Sequence, residues 1–299
     1  MGNVLEAQGD LAGARESYQR SLDVIQRLAA SDPSNAVWQR DLSVNHNKVG
    51  DVLQAQGDLA GAKGSYEQSL EVARRLATSD PSNAGWQRDL SVSHIKVGDV
   101  LQAQGDLAGA NESYQQSLKI VERLAASDPS NAVWQRDLSV NHNKVGEVLQ
   151  AQGDLAGARE SYQRSLEVRH RLASADPSNA GWQRDLSVSH IKIGDLLRDQ
   201  GDLAGAKESH ERSLEVSRRL AASDPSNTLW QRDLSYSLNR MAEIHEKAQN
   251  PAPALVLAQE SLTIAERLAA LDPTNATWQN DLKFTRALVA RLQSNPDSA

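Results

Sequence analysis

The sequence predicts an all-α chain, a solenoid of stacked antiparallel helix pairs, and three observations carry that expectation. Tryptophan stands at 38, 86, 134, 182, 230 and 278, always 48 residues apart. Each unit holds two stretches whose apolar residues return at helical spacing, and each stretch ends in residues that stop helices. The register is kept without insertion from Gly9-Asp10 through Gly57-Asp58, Gly105-Asp106 and Gly153-Asp154 to Gly201-Asp202. A fixed period of this size marks copies of one helical unit, none of which can cover its apolar face alone.

The unit 35–83 shows how each element is specified. Trp38, Leu42, Val49 and Leu53 recur at spacings of four, seven and four, with His46 in the intervening slot. That stripe predicts a first helix. Gly57 stands where a C′ glycine ends a helix, and Asp58 follows as N-cap of the next. The second helix runs through Leu59, Ala62, Tyr66, Ser69 or Leu70, and Leu76. Asp80-Pro81-Ser82-Asn83 closes it, because proline cannot continue a helix interior while Asp, Ser and Asn cap a new start. Each helix is about 21 residues, roughly 31 Å. Glu67, Glu71 and Arg75 lie off the apolar stripe and read as a solvated outer face.

The whole chain, 1–299, reads as one solenoid. It opens with a partial repeat at 1–34, continues with near-identical repeats at 35–83, 84–131, 132–179 and 180–227, and reaches a divergent repeat at 228–275. A capping helix is expected at 276–293, then a polar tail at 294–299. The segment NHNK at Asn45 and Asn141 alternates with SHIK at Ser93 and Ser189, a super-repeat of 96 residues. Met241-Ala242 replaces Val-Gly and Gln249-Asn250-Pro251 replaces Gly-Asp-Leu, as expected of a terminal repeat. Val4, Leu5 and Ala7 match Val52, Leu53 and Ala55, so the chain opens on the end of a first helix and reads as a fragment of a longer polypeptide.

Val49-Gly50, Leu53, Gly57, Ala62, Tyr66 and Pro81 together resemble the tetratricopeptide repeat signature. The familiar unit has about 34 residues, and the stretch from Gly50 to Tyr66 aligns with it without a gap. The added length falls at the outer ends, in Trp38 to Leu42 and in Arg74 to Asp80. Long units of this kind resemble arrays attached to bacterial signalling or effector domains, and more distantly the cargo-binding repeats of kinesin light chains. The resemblance implies a right-handed superhelix whose first helices line a concave side that holds a peptide or partner helix.

Carried over by position, that face comprises Arg40, Val44, Asn47, Lys48, Asp51 and Gln54 in one repeat and Arg88, Val92, Ile95, Lys96, Asp99 and Gln102 in the next. It continues with Arg136, Val140, Asn143, Lys144, Glu147 and Gln150, then Arg184, Val188, Ile191, Lys192, Asp195 and Arg198. A Val and Ile rail thus runs between rows of Lys or Arg and of Asp or Glu. Asp51, Asp99 and Glu147 stand where the family's dicarboxylate clamp has asparagine, which argues against that ligand.

Composition and motifs narrow the function. The chain has no cysteine and a net charge of −7. Disulfides and thiolate metal sites are excluded, and the acidic balance argues against nucleic acid. There is no signal peptide and no apolar run long enough to span a bilayer, so a cytoplasmic protein without a membrane partner is expected. No GxSxG, HExxH, Walker loop or GxGxxG occurs. His46, His94, His142 and His190 fall one per unit on helices about 8–10 Å apart, too far to share one metal ion. They, the tryptophans, and Tyr18, Tyr66, Tyr114 and Tyr162 read as packing residues. The acids Asp51, Asp99, Glu147, Asp195 and Glu243 are likewise spread one per unit. No catalysis, cofactor or metal is therefore expected. The leading reading is a non-catalytic scaffold for a protein or peptide. The alternative is a structural module that self-associates into dimers or filaments through solenoid ends, above all the truncated N-terminal one. An enzyme and a pentatricopeptide-like RNA reader are the remaining readings.

Overall fold

The computed structural model describes residues 2–7 and 9–294, and the expected tail beyond Ser294 lies outside them. The described residues form thirteen helices and no strand. The chain divides into two compact units, one ending at Ala158 and one beginning at Arg159. The first holds α1 (Gly2–Ala7), α2 (Leu11–Ser31), α3 (Ala36–Ala55), α4 (Leu59–Ser79), α5 (Ala84–Ala103), α6 (Leu107–Ser127), α7 (Ala132–Ala151) and the start of α8 (Leu155–Ala175). The second holds the rest of α8, then α9 (Ala180–Asp199), α10 (Leu203–Ser223), α11 (Thr228–Lys247), α12 (Pro251–Leu271) and α13 (Ala276–Gln293).

Local chemistry fixes each boundary. The Asn35 side chain accepts the backbone N–H of Trp38 at 3.1 Å, and Asn83, Asn131, Asn179, Asn227 and Asn275 do the same for the tryptophan three residues on. Each satisfies one orphan donor of a helix N-terminus. Second helices start on aspartate: Asp58 accepts the N–H of Gly61 at 2.9 Å. Gly57 has φ +82, the left-handed conformation that ends α3 and that glycine takes without strain. At the equivalent turn in the divergent repeat Gln249 is forced to φ 55.

Within a unit, consecutive helices pack against each other, and the first helices α3 and α5, α5 and α7, and α11 and α13 also touch directly. The core of the first unit joins Val52, Ala62, Tyr66, Val100, Ala110 and Tyr114, all fully buried. Gly50 and Gly98 admit the tyrosine rings: a Cβ on Gly98 would fall 2.5 Å from Tyr114 Cε1. A buried serine ladder threads the helix crossings. Ser43 Oγ lies 2.8 Å from Ser69 Oγ, which lies 3.2 Å from Ser93 Oγ, and in the second unit Ser187 meets Ser213 at 2.9 Å and Ser235 meets Ser261 at 2.8 Å. Hydroxyls paired with each other let helices approach closely without leaving a buried polar group unsatisfied.

Candidate partner-binding face

The expected face is carried by α3, α5 and α7 in the first unit and by α9 in the second. Asn143 is buried, Arg40, Val44 and Arg136 are exposed, and the other twenty of its residues are half-buried. The valine and isoleucine rail is thus partly wet.

The charged rows are locked to one another. Lys96 Nζ donates to Asp51 Oδ1 at 2.7 Å and Lys144 Nζ lies 2.8 Å from Asp99 Oδ1, each pair joining successive first helices. The tyrosines of the second helices reach the same carboxylates: the Tyr66 hydroxyl donates to Asp51 Oδ1 at 2.8 Å and that of Tyr114 to Asp99 Oδ1 at 2.7 Å. Burial, then the charge of Asp99, pushes the Tyr114 pKa up. Burial works against the charge of Lys144, but Asp99 and Glu147 outweigh it and raise its pKa. A second row of pairs crosses the same seams. Arg40 grips Asp89 and Arg88 grips Asp137 in the first unit, as Arg184 grips Asp233 and Arg232 grips Asp281 in the second. Each guanidinium uses Nε and Nη2 on the two carboxylate oxygens, and those hydrogen bonds raise the pKa of Arg40, Arg88 and Arg232.

The aspartate partners Asp89, Asp137, Asp233 and Asp281 were missing from the sequence reading. Their signal was available: each lies 49 residues beyond its arginine. Two exposed aromatics on the same rail, Tyr236 and Phe284, were missed as well, although they lie 48 and 96 residues beyond Val188.

One node departs from the pattern. In the second unit His210 takes the tyrosine slot and Arg198 the glutamine slot. His210 is 1% exposed, and its ring lies over Gly194 with neither nitrogen hydrogen-bonded. Asp195 Oδ1 stands 3.6 Å from His210 Nε2, 3.0 Å from Arg198 Nη1 and 3.9 Å from Arg240 Nε. Burial, then the charges of Arg198 and Arg240, brings the His210 pKa to about 4. Burial pushes that of Asp195 up against the pull of both arginines. The group is a neutral histidine beside compensated charges.

The packing residues lie where expected. Tyr18, Tyr66, Tyr114 and Tyr162 are buried, the tryptophans half-buried, and His46, His142 and His190 buried with His94 half-buried. Burial lowers the His94 and His190 pKa values to about 4, with nearby arginines adding to it. Among the described residues no three His, Asp or Glu side chains converge as metal ligands, and no helix is long and apolar enough to cross a membrane.

A roomy open trough of 950 Å³ lies elsewhere, between the second helices α4 and α6. Leu70, Leu90, His94 and Ile120 floor it, and Arg74, Lys119, Arg123, Glu112 and Glu122 rim it. Cations and anions alternate there with no enclosed acid and base.

Stacked hairpins, a partly apolar first-helix face and internally paired charges define a helical-repeat protein whose open surface, rather than a pocket, is its candidate site. The family model described as Tetratricopeptide repeat matches residues 143–178 and 191–225, so those two stretches are similar to the repeat whose signature the sequence resembles. No curated protein matches the sequence. In fold the chain is similar to the crystal structure of BtubC (BKLC) from P. vanneervenii, with TM-score 0.67 and 19% identity over 88% of this chain and 92% of that one. It is similar to the apo form of RapI, with TM-score 0.57 and 14% identity over 83% of each chain. A Podosopora anserina putative kinesin light chain with nearly identical TPR-like repeats gives TM-score 0.52 and 14% identity over 74% of this chain and 93% of that one. At such identities the likeness is one of fold.

Proposed function

We propose that the chain is a non-catalytic interaction scaffold that holds a peptide or protein partner on the face formed by its first helices. The observation that carries this reading is the half-wet Val and Ile rail set between charges already paired within the array. A partner gains by covering the rail and need not supply counter-ions, so the apolar strip supplies affinity while the paired rows exclude misplaced charge. The test is partner capture by face variants. Val92→Asp with Ile95→Asp should abolish it, whereas Glu67→Lys on the outer face should leave it intact. Equal capture by both, or turnover of a substrate by the purified chain, overturns the reading.

One observation favours self-association as a second reading. Val24 and Leu28 on α2 are exposed, while their counterparts Val72 and Leu76 on α4 are buried beneath a full first helix. On α13 the exposed residues Lys283, Arg286 and Gln293 stand beside Phe284, so that face mixes charge with one aromatic ring. Light scattering across a dilution series decides: dimers that dissociate on dilution and vanish in Val24→Lys support it, and a concentration-independent monomer removes it.

A further inference from the structure

The rail that is Val44, Val92, Val140 and Val188 in the near-identical repeats becomes Tyr236 on α11 and Phe284 on α13. Phe284 is the one phenylalanine of the chain. Both rings are unusually wet for their type, 38% and 43% exposed. They line a cavity of 230 Å³ together with Arg232, Asn239, Arg240 and Asp281. Pockets for whole small molecules run to roughly 300–1,000 Å³, so this one has room for a single large side chain.

Its chemistry selects the guest. Arg232 is held by both oxygens of Asp281, and Arg240 Nη1 donates to Glu243 Oε2 at 2.6 Å. The Arg240 guanidinium also lies 4.7 Å from the Tyr236 ring centroid. Two cations and two anions are therefore matched in place, and a charged guest would be desolvated with no counter-charge to meet it. The walls are aromatic, and a third ring gains edge-to-face or offset contact with them beyond its area burial. Asn239, 6% exposed, donates Nδ2–H to Thr285 Oγ1 at 2.8 Å, while its Oδ1 has no hydrogen-bond partner.

We propose that this cavity is the discriminating subsite of the first-helix face, taking one uncharged aromatic side chain of an extended peptide. The inference rests on the peptide-binding reading above and locates its selectivity in the last two first helices, whereas the near-identical repeats present the same surface many times over.

Because there is one phenylalanine, growth on 4-fluorophenylalanine places a single fluorine reporter in the cavity. N-acetyl-phenylalaninamide should shift that resonance saturably. N-acetyl-alaninamide and N-acetyl-lysinamide should bind at least about tenfold more weakly, and Tyr236→Val should abolish the shift. No shift, or equal shifts for all three, overturns the proposal, and so does a shift that follows protein concentration alone, which would assign the cavity to a second copy. A displayed peptide library selected on the full chain separates this subsite from the wider reading. Selected peptides should carry an aromatic at a fixed position and lose about tenfold or more in affinity for Tyr236→Val/Phe284→Val. That variant restores the rail's own valine and should keep the wild-type helical signal. Peptides that bind it undiminished but fail on Val92→Asp/Ile95→Asp leave the face reading standing and remove the subsite, and a library that yields no binders removes both.

Discussion

The carboxylate of Asp99 is the point at which one hairpin is tied to the next, and cutting either tie measures it. Its Oδ1 accepts from the buried Tyr114 hydroxyl at 2.7 Å and lies 2.8 Å from Lys144 Nζ. Tyr114→Phe deletes the first bond and keeps the ring on Gly98. A hydrogen bond to a charged group is worth about 1.5–3 kcal/mol, and the lower end applies here because Asp99 keeps Lys144. Lys144→Met removes an ion pair whose side chains are 30% and 25% exposed, a geometry worth about 0.5–1 kcal/mol. If the tyrosine acts through the carboxylate, the charge-assisted part of its effect should disappear in an Asp99→Asn background, where the amide oxygen and Gln102 Oε1 remain as neutral acceptors, a coupling of about 1 kcal/mol.

Urea unfolding followed by circular dichroism gives the four corners of the Tyr114→Phe and Asp99→Asn cycle. Hydrogen exchange on α5 and α6 shows whether the loss is local, since repeat arrays need not unfold as one unit. A coupling below about 0.3 kcal/mol, within ordinary additivity, would refute the account of Asp99 as a tie. The same geometry disqualifies Asp99→Lys as a test of partner contact, because that change sets two cations against each other and leaves the tyrosine only the neutral acceptor Gln102 Oε1.

Gly98→Ala should destabilise by about 1–3 kcal/mol through overpacking against Tyr114, less roughly 1 kcal/mol gained in helix propensity; a thermal midpoint at or above wild type contradicts the close approach. Gln249→Gly should stabilise by about 0.5–1 kcal/mol by relieving the left-handed residue at the end of α11, read from the same urea curves. On acidification His94, His190 and His210, each lowered from 6.5 to about 4, should act first. A lowered folded-state pKa means that the unfolded chain binds the proton more readily. Their contribution is therefore complete above pH 6.5 and is lost as the pH falls through the window down to about 4. His210→Phe should flatten that limb, and an unchanged profile would count against burial as the cause. The turn aspartates Asp32, Asp80, Asp128, Asp224 and Asp272, lowered by hydrogen bonds from the Ser or Thr two residues on, should add a separate loss only below the ordinary aspartate value of 3.8.

Helices and caps were legible because their signals are local: Trp38 to Leu53 carries its period in adjacent turns, and Gly57-Asp58 and Pro81 to Asn83 state where helices stop. What escaped were relations that cross a seam. Arg88 and Asp137 are neighbours only once two hairpins stack, and their 49-residue offset looks like coincidence until the stacking register is known. The serine ladder escaped because its pairs join different helices: Ser69, Ser117 and Ser213 are fully buried, with Ser43, Ser91 and Ser187 as partners. Tyr236 and Phe284 escaped because near-identity elsewhere draws the eye to what repeats, while discrimination belongs to what does not.

The offsets of the charge pairs also explain how such an array can lengthen. A lysine pairs with the aspartate 45 residues before it, and an arginine with the aspartate 49 residues after it. Both offsets lie close to one 48-residue period, so every added copy brings the partner its neighbour needs and buries no orphan charge. The rule loosens at Asp195, which Arg198 engages from its own helix, and it breaks toward both ends of the described residues. Asn3 occupies the acid slot that would face Lys48, and it instead accepts from the Tyr18 hydroxyl. Leu288 occupies the next cation slot and is buried, so Glu243 turns back to Arg240 at 2.6 Å. The final repeats are thereby released from the 45-residue pairing, while Arg232 still holds Asp281 at the 49-residue offset. That freedom is a physical reason for a discriminating surface to arise at 228–293 rather than among the copies before it.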